Sequence, residues 1–392
     1  MPSAIDSLDE TFLRALLAEL AGEARAWRFE VAPNPCVGAA VLAGERIVAR
    51  GHHRAWGGAH AEVEALAAAR SSGVPPAEWD TLVVTLEPCS SSGKTPACSE
   101  AILAAARDSG LRRVIVGCLD PDPRHRGVGL TFLRDAGMEV LLVEHAAPLE
   151  RVAPQFLAWN RLERQRRPRP WVVAKWAQTR SGHLIPPPDI GEGRWISGED
   201  ALREVHVLRG RVDAIVTGVS TVLADDPRLS VRPPGSTARA PLRVVLDSYL
   251  RTPVDGRLLA PPQPGEVVGQ VHVLCQAGAH AARHRALEQA GAHITGLHAS
   301  EDDHVRLRDV LEWLWNAGVR RALLEAGPEL VARMIDEGFV DQVRIYTGNV
   351  GGGRGDSLAE LLSRVRLEQR LERECGDDSV LEGFLYDERE GR

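Results

Sequence analysis

The sequence predicts an α/β protein with two domains, and three observations carry this prediction. Apolar, strand-like runs alternate with helix-like segments through most of the chain, which is the pattern of a central sheet covered by helices. The length of 392 residues allows two or three domains at about 150 residues each. A charged, proline-punctuated stretch, ERQRRPRP, separates two alternating regions and is typical of a linker. We therefore expect a first domain over residues 1–147, a helical linker over 148–168 and a second domain over 169–392.

The first of these domains alternates strands and helices up to Glu144. The chain begins with MPSAIDSLDETFLRALLAELA, an acidic-leaning amphipathic helix rather than a signal peptide. The segments that follow are the strands CVGAAVL and ERIVARG, a helix in HAEVEALAAARSSG, the strand TLVVTLE, the helix CSEAILAAARDSG, the strand RRVIVGCL, the helix GVGLTFLRDAG and the strand MEVLLV. This order predicts an α/β layer sandwich.

The second domain repeats the alternation with WVVAKWA, ALREVHVLRG, DAIVTG, LRVVLD, VHVLC, VRLRDVLEWLWNAG, RRALLEA, PELVARMIDEG and DQVRIYT. No G-x-G-x-x-G pattern follows any of its strands, so the usual dinucleotide-binding fingerprint is missing. Two glycine turns, Gly218 to Thr221 and Gly327 to Glu329, could still hold a pyrophosphate at a helix start. We expect one late strand in the charged stretch from Ala359 to Arg392.

The composition argues against several kinds of partner. The 47 basic and 54 acidic residues leave a net charge of -7, which disfavours nucleic acid or an anionic membrane as a bulk partner. Six irregularly spaced cysteines do not make a disulfide framework in a chain of this length. No run approaches the roughly twenty apolar residues of a membrane span. We therefore expect a cytoplasmic protein.

The parts of a hydrolytic zinc centre occur in order along the first domain: His60, Glu62, Cys89 and Cys98. One imidazole and two thiolates leave the fourth tetrahedral position open for water, and a nearby carboxylate can move that water's protons. Cys98 begins a helix, whose amino-terminal dipole favours a thiolate. A lone His-x-Glu is weak evidence, and two cysteines are more often buried hydrophobic residues. The combination, with Pro88 before the first cysteine, favours a catalytic site.

The loop between the two cysteines, SSSGKTPA, narrows the substrate class. Deaminases of nucleic acids and nucleosides use a tight Cys-x-x-Cys, and this loop is longer. Its hydroxyls, glycine and Lys94 are suited to holding a phosphate, although an ordinary polar surface turn would have the same composition. Asn34, in NPCVG, and His53 could line the same pocket.

The motifs NPCVG, HAE, LEPCSSSGKTPAC, DPDPR, GRWIS, GVSTVLADDPRLSVR, LRVVLDSYLRTP and LLEAGPEL together resemble those of the bifunctional riboflavin-biosynthesis deaminase/reductases. The resemblance covers most of the chain. It implies a cytidine-deaminase-like α/β/α sandwich followed by a dihydrofolate-reductase-like α/β domain. The implied activities are zinc-dependent deamination of 2,5-diamino-6-ribosylamino-4(3H)-pyrimidinone 5′-phosphate and NADPH-dependent reduction of its ribosyl side chain to ribityl. We also expect a homo-oligomer whose partner is this small phosphorylated pyrimidine.

The resemblance also assigns site residues. It places Zn²⁺ on His60, Cys89 and Cys98 and proton transfer on Glu62. It places the deaminase substrate on Asn34, His53 and Lys94. The cofactor residues that it implies are Thr179, Trp195, Thr221, Asp225, Ser248, Gly327 and Pro328. The reductase substrate residues are Arg209, Leu229, Arg232 and Glu325. Two arginines suit a phosphorylated substrate, because guanidinium groups bind phosphate in a bidentate way, although a single arginine on a helix is more often only solvated.

Two segments depart from the family pattern. Ser91 stands where relatives usually carry His. The second domain opens with TRSGHLIPPP, in which Ser181 and His183 replace the usual acidic and basic residues of a Ser-Leu-Asp-Gly-Lys pattern, and Pro186 to Pro188 follow. An active deaminase joined to a degenerate or re-purposed reductase is therefore a second hypothesis. A zinc-stabilised scaffold without turnover is a third, but it would not require Glu62.

Overall fold

The computed structural model describes residues 9–91, 96–144, 146, 168–188, 196–232, 240–358 and 362–386. The chain divides into two compact units, Met1–Arg167 and Pro168–Arg392. Of the predicted linker, 148–168, only Pro168 is described, so its helix stays a prediction. Within the described part, no helix combines the length and apolar character that crossing a membrane requires.

The first unit contains a five-stranded sheet with the order β2-β1-β3-β4-β5. Strand β1 runs antiparallel to β2 and β3, whereas β3, β4 and β5 are mutually parallel. The strands are β1 Gly38–Ala43, β2 Arg46–His52, β3 Thr81–Val84, β4 Arg113–Val116 and β5 Glu139–Leu142. The α-helices are α1 Glu10–Ala24, α2 Arg28–Val31, α3 Ala61–Arg70, α4 Cys98–Arg107 and α5 Val128–Asp135, with short 3-10 turns at Arg25–Trp27 and Pro76–Glu78.

Helices cover both faces of this sheet, as the sequence predicts for an α/β/α sandwich. Strands β3 and β4 are buried along their whole length, which is why they occur in the sequence as continuous apolar runs. Leu82 and Val84 pack in a core with residues of α3 and α4, while Val83 between them packs with α1 on the other face. A Cβ at Gly51 of β2 would lie 2.1 Å from the Ala65 backbone nitrogen, so this glycine lets α3 approach the sheet closely.

The second unit contains a nine-stranded sheet with the order β11-β10-β9-β8-β12-β6-β13-β16-β15. The first seven strands in this order are mutually parallel. Strand β16 is antiparallel to β13, and β15 is antiparallel to β16. The strands of this sheet are β6 Trp171–Gln178, β8 Ala214–Gly218, β9 Leu242–Leu246, β10 Val271–Gln276, β11 Ala292–Leu297, β12 Arg321–Leu324, β13 Gln342–Thr347, β15 Arg366–Cys375 and β16 Asp378–Tyr386. A separate antiparallel pair consists of β7 His183–Ile185 and β14 Arg354–Ser357. The helices are α6 Glu199–Gly210, α7 Val219–Asp225, α8 Ala281–Gln289, α9 Leu307–Asn316 and α10 Pro328–Asp336.

The second unit differs from the sequence prediction in helix α8, in strand β11, in the β7–β14 pair and in the carboxyl-terminal stretch. Helix α8 and the edge strand β11 are absent from the predicted series, because α8 buries only Leu287 and β11 is fully buried only at Ala292. The charged carboxyl-terminal stretch forms two late strands, β15 and β16, rather than one. Charged side chains on the edge strand β15 hide its β character from a hydrophobicity pattern and also discourage pairing with other chains.

Candidate active sites

Three predicted zinc ligands come together in the first unit. The ligand atoms of His60, Cys89 and Cys98 all lie within 4.8 Å of one another. The His60 Nδ1 atom is 3.1 Å from the Cys98 Sγ and 3.7 Å from the Cys89 Sγ. The backbone N–H of Cys98 also donates a hydrogen bond to the Cys89 Sγ at 3.2 Å, which stabilises a thiolate there.

These three side chains are positioned by the ends of secondary-structure elements. His60 is the extended residue that precedes α3, Cys98 is the first residue of α4, and Cys89 lies beyond the carboxyl end of β3. The buried Glu87 carboxylate fixes the chain just before Cys89 by accepting hydrogen bonds from the Gly127 and Gly129 amides at 2.8 and 2.9 Å. Strand ends and helix starts therefore converge on one point, as is usual for sites in open α/β sheets.

The donor set fits a tetrahedral zinc ion. Zn–N bonds of about 2.0 Å and Zn–S bonds of about 2.3 Å at a tetrahedral angle place nitrogen and sulfur about 3.5 Å apart. The observed separations of 3.1 and 3.7 Å bracket that value. Hydrogen bonding between the two sulfurs lowers the pKa of the Cys89 thiol to about 4 and raises the pKa of Cys98. Two thiolates at this distance repel each other, so a bound cation would stabilise both of them.

The Glu62 side chain lies beside this cluster and is not one of its ligands. It belongs to the first turn of α3 and is 3 % exposed. Burial raises the pKa of its carboxyl group to about 7. The neighbouring Cys98 thiol acts in the opposite direction and lowers the pKa of Glu62 slightly. A buried carboxyl group next to a metal site is suited to carrying protons between water and substrate.

Asn34 and His53 also meet at this site. The Asn34 Nδ2 donates to the His53 Nε2 at 3.0 Å, and the His53 Nδ1 donates to the Ala59 carbonyl at 2.9 Å. The His53 ring centroid is 5.1 Å from that of His60. Because Nε2 accepts and Nδ1 donates, the His53 imidazole is neutral with its proton on Nδ1. Burial lowers the pKa of His53, which also favours the neutral form. Lys94 lies outside the described residues, so its place in the pocket stays a prediction, whereas Ser91 is described and exposed.

The second unit gathers part of the predicted substrate set around Glu325. The Arg209 Nε and Nη2 donate to the two Glu325 oxygens at 2.7 and 2.8 Å, which is a bidentate pair. The Lys175 Nζ lies 3.8 Å from the same carboxylate. Although burial opposes ionisation, the positive charges of Arg209 and Lys175 hold the pKa of Glu325 at about 2. Burial in turn lowers the pKa of Lys175.

Lys175 is absent from the sequence prediction although a signal for it exists. It is the one charged residue inside the apolar strand WVVAKWA, where a buried ammonium group needs an anionic partner. His206 on α6 is a second omission. Its Nδ1 atom is buried and has no partner within the described ranges. Burial is the main cause that lowers the pKa of His206 to about 4, and the charges of Arg209 and Arg232 add to it.

The predicted cofactor residues occupy several turns of the second unit. The Thr221 Oγ1 accepts a hydrogen bond from the Gly327 amide at 3.0 Å, which joins the two predicted glycine turns, and Pro328 is the first residue of α10. The buried Ser248 hydroxyl accepts from the Val305 amide at 3.1 Å. The remaining members are Asp225, exposed at the end of α7, Thr179, whose hydroxyl donates to the Gly352 carbonyl at 2.7 Å, and Trp195, which lies outside the described residues.

The atypical TRSGHLIPPP segment forms an ordered hairpin against a glycine-rich strand. The Ser181 hydroxyl accepts from the Gly352 amide at 3.0 Å, and the His183 Nδ1 donates to the Gly355 carbonyl at 3.2 Å. Strand β7 pairs with β14 in the same region. The two residues that replace the usual acid and base thus take part in hydrogen bonds within this hairpin.

Comparison with known proteins covers both units. A family model described as the RibD C-terminal domain matches residues 170–381, and one described as the cytidine and deoxycytidylate deaminase zinc-binding region matches residues 9–118. The riboflavin biosynthesis protein RibD of Aquifex aeolicus is 31% identical over 356 residues, which cover 89% of this chain and 92% of that protein. RibD of Escherichia coli is 32% identical over 333 residues, covering 81% and 83%.

Solved structures agree with these sequence relatives. The structure of Acinetobacter baumannii RibD in form 1 has a TM-score of 0.64 at 26% identity and covers 97% of this chain and all of its own. A Thermotoga maritima deaminase/reductase has the same TM-score at 24% identity over 96% of this chain and 99% of its own, which supports the fold. The matched segments include both the zinc-ligand region and the Arg209–Glu325 region. This chain therefore belongs to the RibD family of bifunctional riboflavin-biosynthesis enzymes, with a zinc-dependent deaminase domain and an NADPH-dependent reductase domain.

Proposed function

We propose that the two activities of this enzyme are carried out by the two side-chain clusters described above. The His60, Cys89, Cys98 and Glu62 cluster would deaminate the phosphorylated diaminopyrimidinone. The Arg209, Lys175 and Glu325 cluster would bind the deaminated product for reduction. The observation that carries the first assignment is the convergence of one imidazole and two thiolates beside a buried carboxyl group that is not a ligand.

In the deaminase site, Glu62 handles the protons. A zinc ion held by His60, Cys89 and Cys98 would supply a water that ionises near neutral pH. Glu62, buried beside these ligands, would take up a proton from the attacking water and return protons to the ring nitrogen and to the departing amine, so that oxygen replaces the amino group and ammonia leaves. Asn34 and the neutral His53 hold the pyrimidine through hydrogen bonds, and Lys94 takes the 5′-phosphate.

In the reductase site, the protein orients the substrate, neutralises its charge and donates one proton. NADPH supplies the hydride. Thr221 and the turn at Gly327 lie where a pyrophosphate can meet the amino terminus of α10. Arg209 and Arg232 receive the substrate phosphate, and Leu229 lies in the same loop as Arg232. Lys175 is the buried proton donor in contact with Glu325, and reduction at the opened ribose consumes one proton in addition to the hydride.

The finer assignments of boundaries and surroundings are also proposals. We place the deaminase domain over 1–147, the linker over 148–168 and the reductase domain over 169–392, in a homo-oligomer that binds neither nucleic acid nor membrane. Six free cysteines, two of them needed as thiolates on zinc, favour the reducing cytoplasm.

Incubation of the purified enzyme with the diaminopyrimidinone substrate, with and without NADPH, tests the whole proposal. Without NADPH we expect a single product in which oxygen replaces one amino nitrogen. With NADPH we expect a second product that carries two more hydrogens. Accumulation of only the first product in both incubations would support the alternative of a degenerate or re-purposed reductase.

A further inference from the structure

Glu266 is a buried carboxylate in the second unit that binds the loop carrying Leu229 and Arg232. Its side chain is 1 % exposed. It accepts hydrogen bonds from the Arg228 Nε at 2.8 Å, from the Ser230 hydroxyl at 3.0 Å and from the Arg232 Nε at 3.0 Å. These hydrogen bonds, together with one from the Gln263 amide, hold the pKa of Glu266 at about 2 although burial opposes ionisation.

Backbone contacts attach the same loop to the segment that carries Glu266. Val231 and Val267 exchange two backbone hydrogen bonds of 2.9 Å. The buried Arg243 side chain donates to the Arg228 carbonyl at 3.1 Å and to the Gly269 carbonyl at 2.9 Å. The loop therefore has little freedom to move independently of Glu266.

This arrangement determines how Arg232 is presented. Glu266 accepts hydrogen bonds from the Arg232 Nε and from one N–H of its Nη2. The Arg232 side chain nevertheless remains 47 % exposed. Its Nη1 atom has no hydrogen-bond partner among the residues that the structure describes. The free edge, from Nη1 to Nη2, is a planar pair of donors of the kind that binds a phosphate in a bidentate way.

Arg209 also hydrogen-bonds to the loop that Glu266 holds. Its Nη1 donates to the Ser230 carbonyl at 3.0 Å, while the Ser230 hydroxyl donates to Glu266. Ser230 is thus bonded both to Arg209 and to the carboxylate that holds Arg232. Glu266 therefore holds Arg232 directly and is linked to Arg209 only through Ser230.

We propose that Glu266 is a positioning residue of the reductase, which orients Arg232 so that its free edge binds the substrate's 5′-phosphate next to Arg209. The inference rests on the proposed role of Arg232 in substrate binding. Glu266 itself does not contact the substrate. A purely structural role would instead predict that loss of Glu266 loosens the loop and weakens every reductase function equally.

Steady-state kinetics of Glu266→Ala and Glu266→Gln test the proposal, with the deaminated compound offered in phosphorylated and dephosphorylated forms at saturating NADPH. We expect Glu266→Ala to raise KM for the phosphorylated form about ten-fold or more and to leave kcat and the KM for NADPH within about two-fold. The KM for the dephosphorylated form should change little. Glu266→Gln keeps an oxygen acceptor of the same shape and should recover part of the loss.

Two controls keep the outcomes separate. Asp255→Asn changes an exposed carboxylate in the neighbouring chain segment and should match the unaltered enzyme, and the deaminase activity of each variant reports folding of the first unit. In an Arg232→Ala background, Glu266→Ala should add almost no further effect, because both changes remove the same contact. Equal losses on both substrate forms, or none on either, would overturn the role of Glu266. An unaltered enzyme that ignores the phosphate would instead refute the proposed role of Arg232 itself.

Discussion

Replacement of Glu62 by Gln separates metal binding from proton transfer in the deaminase site. Gln has nearly the same shape as Glu, so the change leaves no cavity at a position that is 3 % exposed. The three ligand atoms that lie within 4.8 Å of one another belong to other residues, so zinc should stay bound at one ion per chain. The variant thus removes the proton carrier and keeps the rest of the site.

The expected loss follows from the number of proton transfers. A single positioned acid or base contributes about 10²- to 10⁴-fold. Glu62 acts in more than one transfer in the same turnover, so we expect a loss at or above the upper end of that range, which corresponds to about 5.5 kcal/mol of barrier. Because Glu62 is buried, little water can reach its position to carry the protons instead, which favours a loss at the upper end of the range.

The assay measures ammonia release, zinc content and reductase activity on the same samples. Glu64→Gln is the matched control, since Glu64 is on the same turn of α3 but partly exposed and outside the cluster. The Glu64→Gln enzyme should keep its zinc and its rate of ammonia release. Both the Glu62→Gln and the Glu64→Gln enzyme should reduce added deaminated product at the normal rate. A Glu62→Gln enzyme that releases ammonia at an undiminished rate, or that loses its zinc, would refute the reasoning.

Three further predictions concern the phosphate, the atypical hairpin and acid stability. Lys94→Ala should raise the deaminase KM for the phosphorylated substrate by an amount worth about 1.5–3 kcal/mol, with no such effect on the dephosphorylated compound, as steady-state kinetics would show. Conversion of Ser181 to Asp with His183 to Lys should raise the reduction rate without a large change in NADPH affinity, measured by tryptophan quenching; an unchanged rate would contradict this. The pKa of Glu325 is lowered to about 2, so its stabilising contribution is present above its usual pKa near 4.5 and is lost as pH falls towards 2. Urea unfolding between pH 5 and pH 3 should therefore show a steeper loss of stability for the unaltered enzyme than for Glu325→Gln.

The deaminase site was largely predictable from the sequence. His60 and Glu62 are only two positions apart, Cys89 follows an apolar strand and Cys98 begins a helix, so local patterns are enough to locate them. The layered α/β architecture follows in the same way, because buried parallel strands leave continuous apolar runs.

The reductase site depended on contacts that no local pattern contains. Glu325, just after β12, meets Arg209 of helix α6 across 116 residues of chain, and Lys175 approaches Glu325 from strand β6. Helix α8 and strand β11 were missed, and β15 and β16 were counted as one strand, because α8, β11 and β15 bury few side chains, which weakens the periodic signal.

The sequence by itself determined the family, the alternation of strands and helices and the types of the zinc-ligand residues, because these are properties of short segments. Only the tertiary structure decided which charges become partners, as with Glu266 and the loop that ends at Arg232, 34 residues earlier in the chain. Pairing of this kind depends on which strand ends meet at one edge of a sheet, and distant segments meet there only after the whole domain has packed.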